Sequence, residues 1–256
     1  MKPIDPTQEQ SAEELDDQAL PAVHDPAHFW RNLAAAPLNE KHLRKQRLIT
    51  LNNTDPAHVA FDILRTRLIQ ELQERGWTRV AITSPTADCG KSFVAANLAL
   101  SLSRLEEIRT ILMELDLRDP TLSRNFGVAP MDSMQEYLAG RIEPEDFVFR
   151  VRDNLALGLC DEPISYASEV LLESMTSYVL DDLQEVAVPD VMLLDLPPAL
   201  TNDDVLAILP NVDAVLLVVG GGTTTADEIK RVEQLLGSVK PLLGVVLNKA
   251  EGPVSV

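Results

Sequence analysis

Between residues 79 and 248, short apolar runs of Val, Leu, Ile and Met alternate with longer stretches of helical periodicity, and this alternation constrains the fold more than any other feature. Residues 79–83, 110–115, 154–159, 191–195, 214–219 and 243–248 read as strands. Several are apolar at nearly every position, as strands buried on both faces are. Helices are expected between them over 91–105, 167–183 and 226–236. Ahead of the first strand, Ala60, Phe61, Leu64, Leu68 and Leu72 fall at helical spacing, with a stop near Gly76. Alternation of this kind specifies an α/β fold with three layers, a mostly parallel sheet flanked by helices on both faces.

Composition narrows the chemistry. The 256 residues carry 22 Lys and Arg against 40 Asp and Glu, a net charge of −18. Nothing global attracts a phosphate backbone, so nucleic acid is not an expected partner. No apolar run approaches the roughly 18 residues of a membrane span, and the acidic N-terminus is unlike a signal peptide, so a cytoplasmic location is expected. The two cysteines, Cys89 and Cys160, lie outside any C-x-x-C pattern, which excludes a disulfide framework or cysteine zinc site. All four histidines precede residue 59. Catalysis is thereby left to carboxylates, Lys, Arg and backbone amides.

Two units are expected. Residues 1–50 read as an acidic, disordered tail, because the first 29 residues carry seven carboxylates and four prolines against one Lys. Within it, the basic segment 41–47 reads as a solvated helix face, or more sharply as a contact for anionic lipid or an acidic partner. Residues 51–256 form the domain.

The first strand runs directly into Ser84-Pro85-Thr86-Ala87-Asp88-Cys89-Gly90-Lys91-Ser92, and a helix begins there. Gly-Lys-Ser at a strand-to-helix turn is the core of a phosphate-binding loop. Backbone amides from Ala87 to Phe93, with the positive end of the helix, would surround the anion. Lys91 can reach outer phosphates and the Ser92 hydroxyl can hold Mg²⁺. Two further strands end on carboxylates: Glu114 and Asp116 in Glu114-Leu115-Asp116-Leu117-Arg118, and Asp195 in Asp195-Leu196-Pro197-Pro198. In an open parallel sheet these ends line the ligand crevice.

These motifs, in this order, resemble the bacterial tyrosine kinases of capsule and exopolysaccharide production, P-loop ATPases related to MinD and ParA. The resemblance covers roughly residues 55–250. Besides the loop, the second motif matches at Asp116-Leu117-Arg118, the third at Asp195-Leu196-Pro197-Pro198, and a late Gly-Val-Val-x-Asn segment at Gly244 to Asn248. The resemblance implies ATP and Mg²⁺ as cofactors, bound at Ala87, Asp88, Cys89, Gly90, Lys91, Ser92 and Phe93, with Asn248 reading the adenine. It implies catalytic roles for Lys91, Asp116, Asp195 and Arg118. Ser92 and Asp195 would hold the metal, joined by Glu114. The implied reaction is phosphoryl transfer to protein tyrosine, and the implied partners are a protein substrate and a membrane-embedded polysaccharide co-polymerase that activates the kinase and recruits it to the membrane. The alternative is a weakened, ATP-dependent regulatory switch acting on that partner. A GTPase is the third reading, because Asn248-Lys249-Ala250-Glu251 approximates the guanine signature.

The chain departs from the family in four places. Asp88 stands where the family has Gly, which is expected to weaken ATP binding, and Glu114 replaces the first Asp of its motif. The Glu-x-x-Arg-x-x-Arg pattern that locks the family's ring reads Val59, Asp62 and Arg65, which weighs against a ring octamer. The tyrosines are Tyr137, Tyr166 and Tyr178, so an internal tyrosine or another protein is the expected acceptor rather than a tyrosine-rich tail.

Overall fold

Strands β1 (Arg79–Thr83), β2 (Thr110–Glu114), β5 (Val191–Asp195) and β6 (Ala214–Gly220) are buried at every position, in keeping with their apolar centres. They form the centre of a seven-stranded sheet ordered β3-β4-β2-β5-β1-β6-β7, in a computed structural model that describes residues 25–49 and 57–250. The remaining strands are β3 (Phe149–Arg152), β4 (Leu155–Gly158) and β7 (Leu242–Asn248). All neighbours pair parallel except β3 and β4. In register, Glu114 of β2 stands beside Asp195 of β5, and Asp195 beside Ile82 of β1. Three strand ends that carry chemistry are therefore adjacent.

Helices cover both faces. One face holds α2 (Glu40–Lys45), α3 (Ala57–Arg75), α4 (Lys91–Leu102) and α5 (Leu122–Phe126). The other holds α1 (Pro26–Asn32), α6 (Met134–Leu138), α7 (Pro144–Phe147), α8 (Ala167–Leu172), α9 (Ser174–Ala187), α10 (Asp204–Ile208) and α11 (Ala226–Gly237). Apart from Lys91 and Phe93, α4 is buried all round, because it lies between the sheet and α3. Phe61 of α3 meets Phe93 of α4 edge-on, with ring centroids 6.3 Å apart. The α/β class expected from the alternation holds, and three layers result.

Three expectations need correction. Residues 25–49 are not a tail. Asp25 caps α1, and Phe29, Trp30 and Leu33 are buried, with Trp30 Nε1 donating to the Ala187 carbonyl at 2.8 Å. Residues 34–36 add to the free edge of β3 through two backbone hydrogen bonds with Arg150. Residues 1–24 and 50–56 lie outside the described residues. The helix expected over 167–183 is two helices, broken where Glu173 is extended. There the Val170 carbonyl accepts both the Glu173 amide that closes the first helix and the Thr176 hydroxyl of the second. The helix begun at Lys91 stops at Leu102, three residues short of its expected end.

Candidate functional site

The loop between β1 and α4 is shaped by two residues with left-handed backbone, Asp88 at φ +61° and Gly90 at φ +88°. Asp tolerates that region better than most side chains, so the turn survives the loss of a glycine. The Asp88 side chain is exposed, where solvent screens its charge. At Gly90 the need is steric as well: a Cβ would lie 2.2 Å from Nδ2 of Asn248. That amide donates to the Cys89 carbonyl at 2.9 Å, and the Lys249 ammonium donates to the Asp88 carbonyl at 2.5 Å. The end of β7 therefore clamps the loop from behind. No side chain among the described residues caps α4, which leaves its first amides facing outward for an anion.

In front of the loop lies a crevice of about 380 Å³. Ala87, Asp88, Gly90, Lys91, Ser92 and Phe93 line it on one side, and Asp116, Arg118, Asp119 and Arg124 on the other. Lys91 Nζ sits 2.6 Å from Asp116 Oδ2 and donates to Ser92 Oγ at 3.1 Å. Burial works to lower the Lys91 pKa, but Asp195 and Asp116 overcome it and hold the ammonium above its usual value. Asp195 is fully buried, and neither of its oxygens has a hydrogen-bond partner among the described residues. Burial pushes this carboxyl up to about 6, with the Lys91 charge and the adjacent Ser92 hydroxyl pulling the other way. A buried carboxylate left without a donor is costly, and a cation at that position would satisfy it.

Three residues expected at the site turn their side chains elsewhere. Glu114, expected to hold metal, is buried and committed to the loop beyond β2. It accepts from the amides of Thr121 at 2.5 Å, Leu122 at 2.6 Å and Cys160 at 3.1 Å. Burial nevertheless raises it to about 7, against the pull of those amides. Asn248 holds the loop rather than lining the crevice. The Cys89 thiol, 1% exposed, is turned to Thr224 Oγ1 at 3.4 Å. Burial pushes that thiol up, but its hydrogen bonds with Thr224 and Thr86 outweigh burial and leave it below its ordinary value. Arg118 does line the crevice, held by Asp204 through two hydrogen bonds of 2.7 and 2.9 Å and by the Ser165 carbonyl. Asp204 was not legible in advance, because its partner lies 86 residues away.

Among the described residues, no three His, Cys, Asp or Glu side chains form a metal cage. Ser92 and Asp195 suit instead a Mg²⁺ that takes its other ligands from phosphates and water. No helix among the described residues is long and apolar enough to cross a membrane.

Comparison with known proteins agrees with this geometry. The ParA family model, described as NUBPL iron-transfer P-loop NTPase, matches residues 78–252. The putative tyrosine-protein kinase EpsB of Ralstonia solanacearum is 32% identical over 199 residues, 76% of this chain and 26% of that protein. The succinoglycan biosynthesis transport protein ExoP of Rhizobium meliloti is 29% identical over 179 residues, 67% of this chain and 22% of that protein. This chain thus spans about a quarter of the length of those relatives. The kinase domain of the Escherichia coli tyrosine kinase ETK superposes with a TM-score of 0.70 at 26% identity, covering 87% of this chain and 93% of that domain. The chain therefore belongs to the ParA-like P-loop NTPases, and it shares its fold with bacterial tyrosine-kinase domains.

Proposed function

We propose that this chain binds Mg-ATP in the crevice and transfers a phosphoryl group to a protein tyrosine, in the service of polysaccharide export. The observation that carries the proposal is Asp195, a buried carboxylate with both oxygens unpartnered among the described residues, beside the Lys91 and Ser92 of a phosphate loop.

Bound Mg-ATP supplies the electrophilic phosphoryl group and a cation to spread its charge. The chain's own residues do the rest. The amides at the start of α4 would receive phosphate oxygens, and Ser92 Oγ and Asp195 would hold the cation. Lys91 turns from Asp116 toward the phosphates. That turn frees Asp116 to take the proton of the attacking tyrosine hydroxyl as the new O–P bond forms and ADP departs. Arg118 stays fixed by Asp204 at the rim, where its charge faces the acceptor.

Tyr137 is not the acceptor: its ring is buried against Phe147, its hydroxyl donates to the Val179 carbonyl, and burial raises its pKa strongly. Tyr166 and Tyr178 are exposed, so an internal acceptor and a separate protein are both open to the site. The partner we assign to the site is a membrane-embedded polysaccharide co-polymerase, a reading supported by one relative's name as a succinoglycan biosynthesis transport protein. A second reading, an ATP-dependent switch without transfer, is favoured by the Lys91–Asp116 pair, which occupies the general base with a cation.

Purified chain incubated with Mg²⁺ and ATP labelled at the γ-phosphate separates these readings. Label on tyrosine, lost in Lys91→Ala and cut at least a hundredfold in Asp116→Asn, supports the kinase. Nucleotide binding with phosphate release but no label on protein leaves the switch, and no binding overturns both.

A further inference from the structure

The chain concentrates positive charge in one place. Within residues 25–49, five cations face two carboxylates, in a protein of net charge −18. Four of those cations lie on or just after α2: Lys41, Arg44, Lys45 and Arg47, all exposed. Arg44 pairs with Glu40 at 3.3 Å. Lys41, Lys45 and Arg47 have no carboxylate partner among the described residues.

This helix is seated on the wall of the crevice. Leu43, its one buried side chain, is 1% exposed, and the His42 ring donates Nε2–H to the Arg124 carbonyl of α5 at 2.9 Å. The ring presses so closely on the end of α5 that a Cβ at Gly127 would lie 2.6 Å from it. In turn α5 is fixed at its start by Glu114, which accepts the Thr121 and Leu122 amides. From that same short helix Arg124 and Asn125 line the crevice, opposite Lys91. Arg124 and the cations of α2 therefore belong to one rigid wall, with Glu40 as its acidic exception, while Asp116, Asp119 and the Asp204-paired Arg118 line the crevice beside it.

We propose that the α2–α5 wall is the docking surface for an acidic segment flanking the phosphoacceptor tyrosine. The proposal rests on the kinase reading and names its substrate class. A chain of this net charge repels acidic peptides at long range, so one that accepts them needs a local field of the opposite sign beside the reacting atoms. The wall supplies it. A membrane surface fits less well, because α2 has a single apolar side chain and buries it, leaving no face to insert among lipids.

The test uses fluorescence anisotropy on the full chain, loaded with Mg²⁺ and a non-hydrolysable ATP analogue. The probes are a labelled tyrosine peptide flanked by glutamates and its glutamine counterpart. The acidic peptide is expected to bind at least tenfold tighter, with an affinity that falls as salt rises. Lys41→Glu/Lys45→Glu/Arg47→Glu should remove that preference while leaving affinity for the ATP analogue unchanged. The corresponding triple Gln variant serves if charge reversal impairs folding. Equal binding of the two peptides, or a preference that survives the substitutions, overturns the proposal. So does wild-type binding to phosphatidylglycerol vesicles without binding to the acidic peptide, which would give the patch to the membrane. Transfer of labelled phosphate is scored separately. Charge-dependent binding without transfer leaves the docking surface standing and fails the kinase reading, whereas transfer blind to charge does the reverse.

Discussion

Glu114 and Asp195 stand side by side in the register of β2 and β5, and burial acts on both carboxyls. Glu114 titrates near 7 in the folded chain, against about 4.5 for an ordinary glutamate. Between those values the folded state holds a proton that the unfolded state has released. Stability contributed by this group is therefore present at low pH and lost as pH rises through the window. From pH 7.5 down to about 5.5, the Glu114 contribution is worth about 2 kcal/mol by linkage. Glu114→Gln should flatten the pH profile of the nucleotide-free chain by that amount in chemical denaturation, and a profile as steep as wild type would refute the assignment. The position of this carboxyl shows what sequence can and cannot reveal at the scale of a residue. Its place at a strand end was legible from Thr110-Ile111-Leu112-Met113-Glu114. Its orientation was not, because the amides of Thr121, Leu122 and Cys160 that capture it arrive from loops.

At the scale of elements, the buried strands were readable because every position is covered and their centres are apolar. The short edge strand β3 alternates buried with half-buried residues over only four positions, too little to separate it from a loop. The helix break at Glu173 carries no Pro or Gly to announce it, since the break is made by packing and by the Thr176 hydroxyl. The same distinction governs the loop and β7. The Gly-Lys-Ser turn was plain, but the clamp from Asn248 required the strand to be in place. That clamp makes a coupling prediction. Gly90→Ala pushes a Cβ into the Asn248 amide and also strains a backbone at φ +88°. Asn248→Ala removes one hydrogen bond to the loop, worth about 1 kcal/mol. In the double variant the clash is gone, and the backbone strain and the lost hydrogen bond remain. The combined loss in affinity for the ATP analogue should thus fall short of the sum by about 0.5–3 kcal/mol, read by calorimetric titration. Strict additivity would mean that the clamp does not position the loop.

At the scale of the molecule, acidic and proline-rich composition concealed a structured entrance. Phe29 and Trp30 were the signal, but the Ala187 carbonyl that receives the indole lies 157 residues away. Assembly turns on a comparable long-range commitment. The resemblance places a ring contact at Val59, Asp62 and Arg65 of α3. In this chain Asp62 accepts from Arg104 at 2.9 and 3.1 Å and from the Ser101 hydroxyl at 2.9 Å. Arg65 pairs with the same carboxylate at 3.2 Å and donates to the Ser101 carbonyl at 3.0 Å. Both polar side chains thus bind α3 to α4 within one molecule, and the third position is an exposed valine. Light scattering with Mg²⁺ and the ATP analogue should accordingly give the mass of a single chain, and a closed ring would overturn the inference. Restoring the motif by Val59→Glu/Asp62→Arg should not build a ring either. It sets a new guanidinium between Arg65 and Arg104, removing their shared acceptor and adding like charge in a half-buried site. The expected cost is about 1–3 kcal/mol in denaturant unfolding. Adding Arg104→Ala should recover part of it, because the repulsion belongs to that contact between the helices.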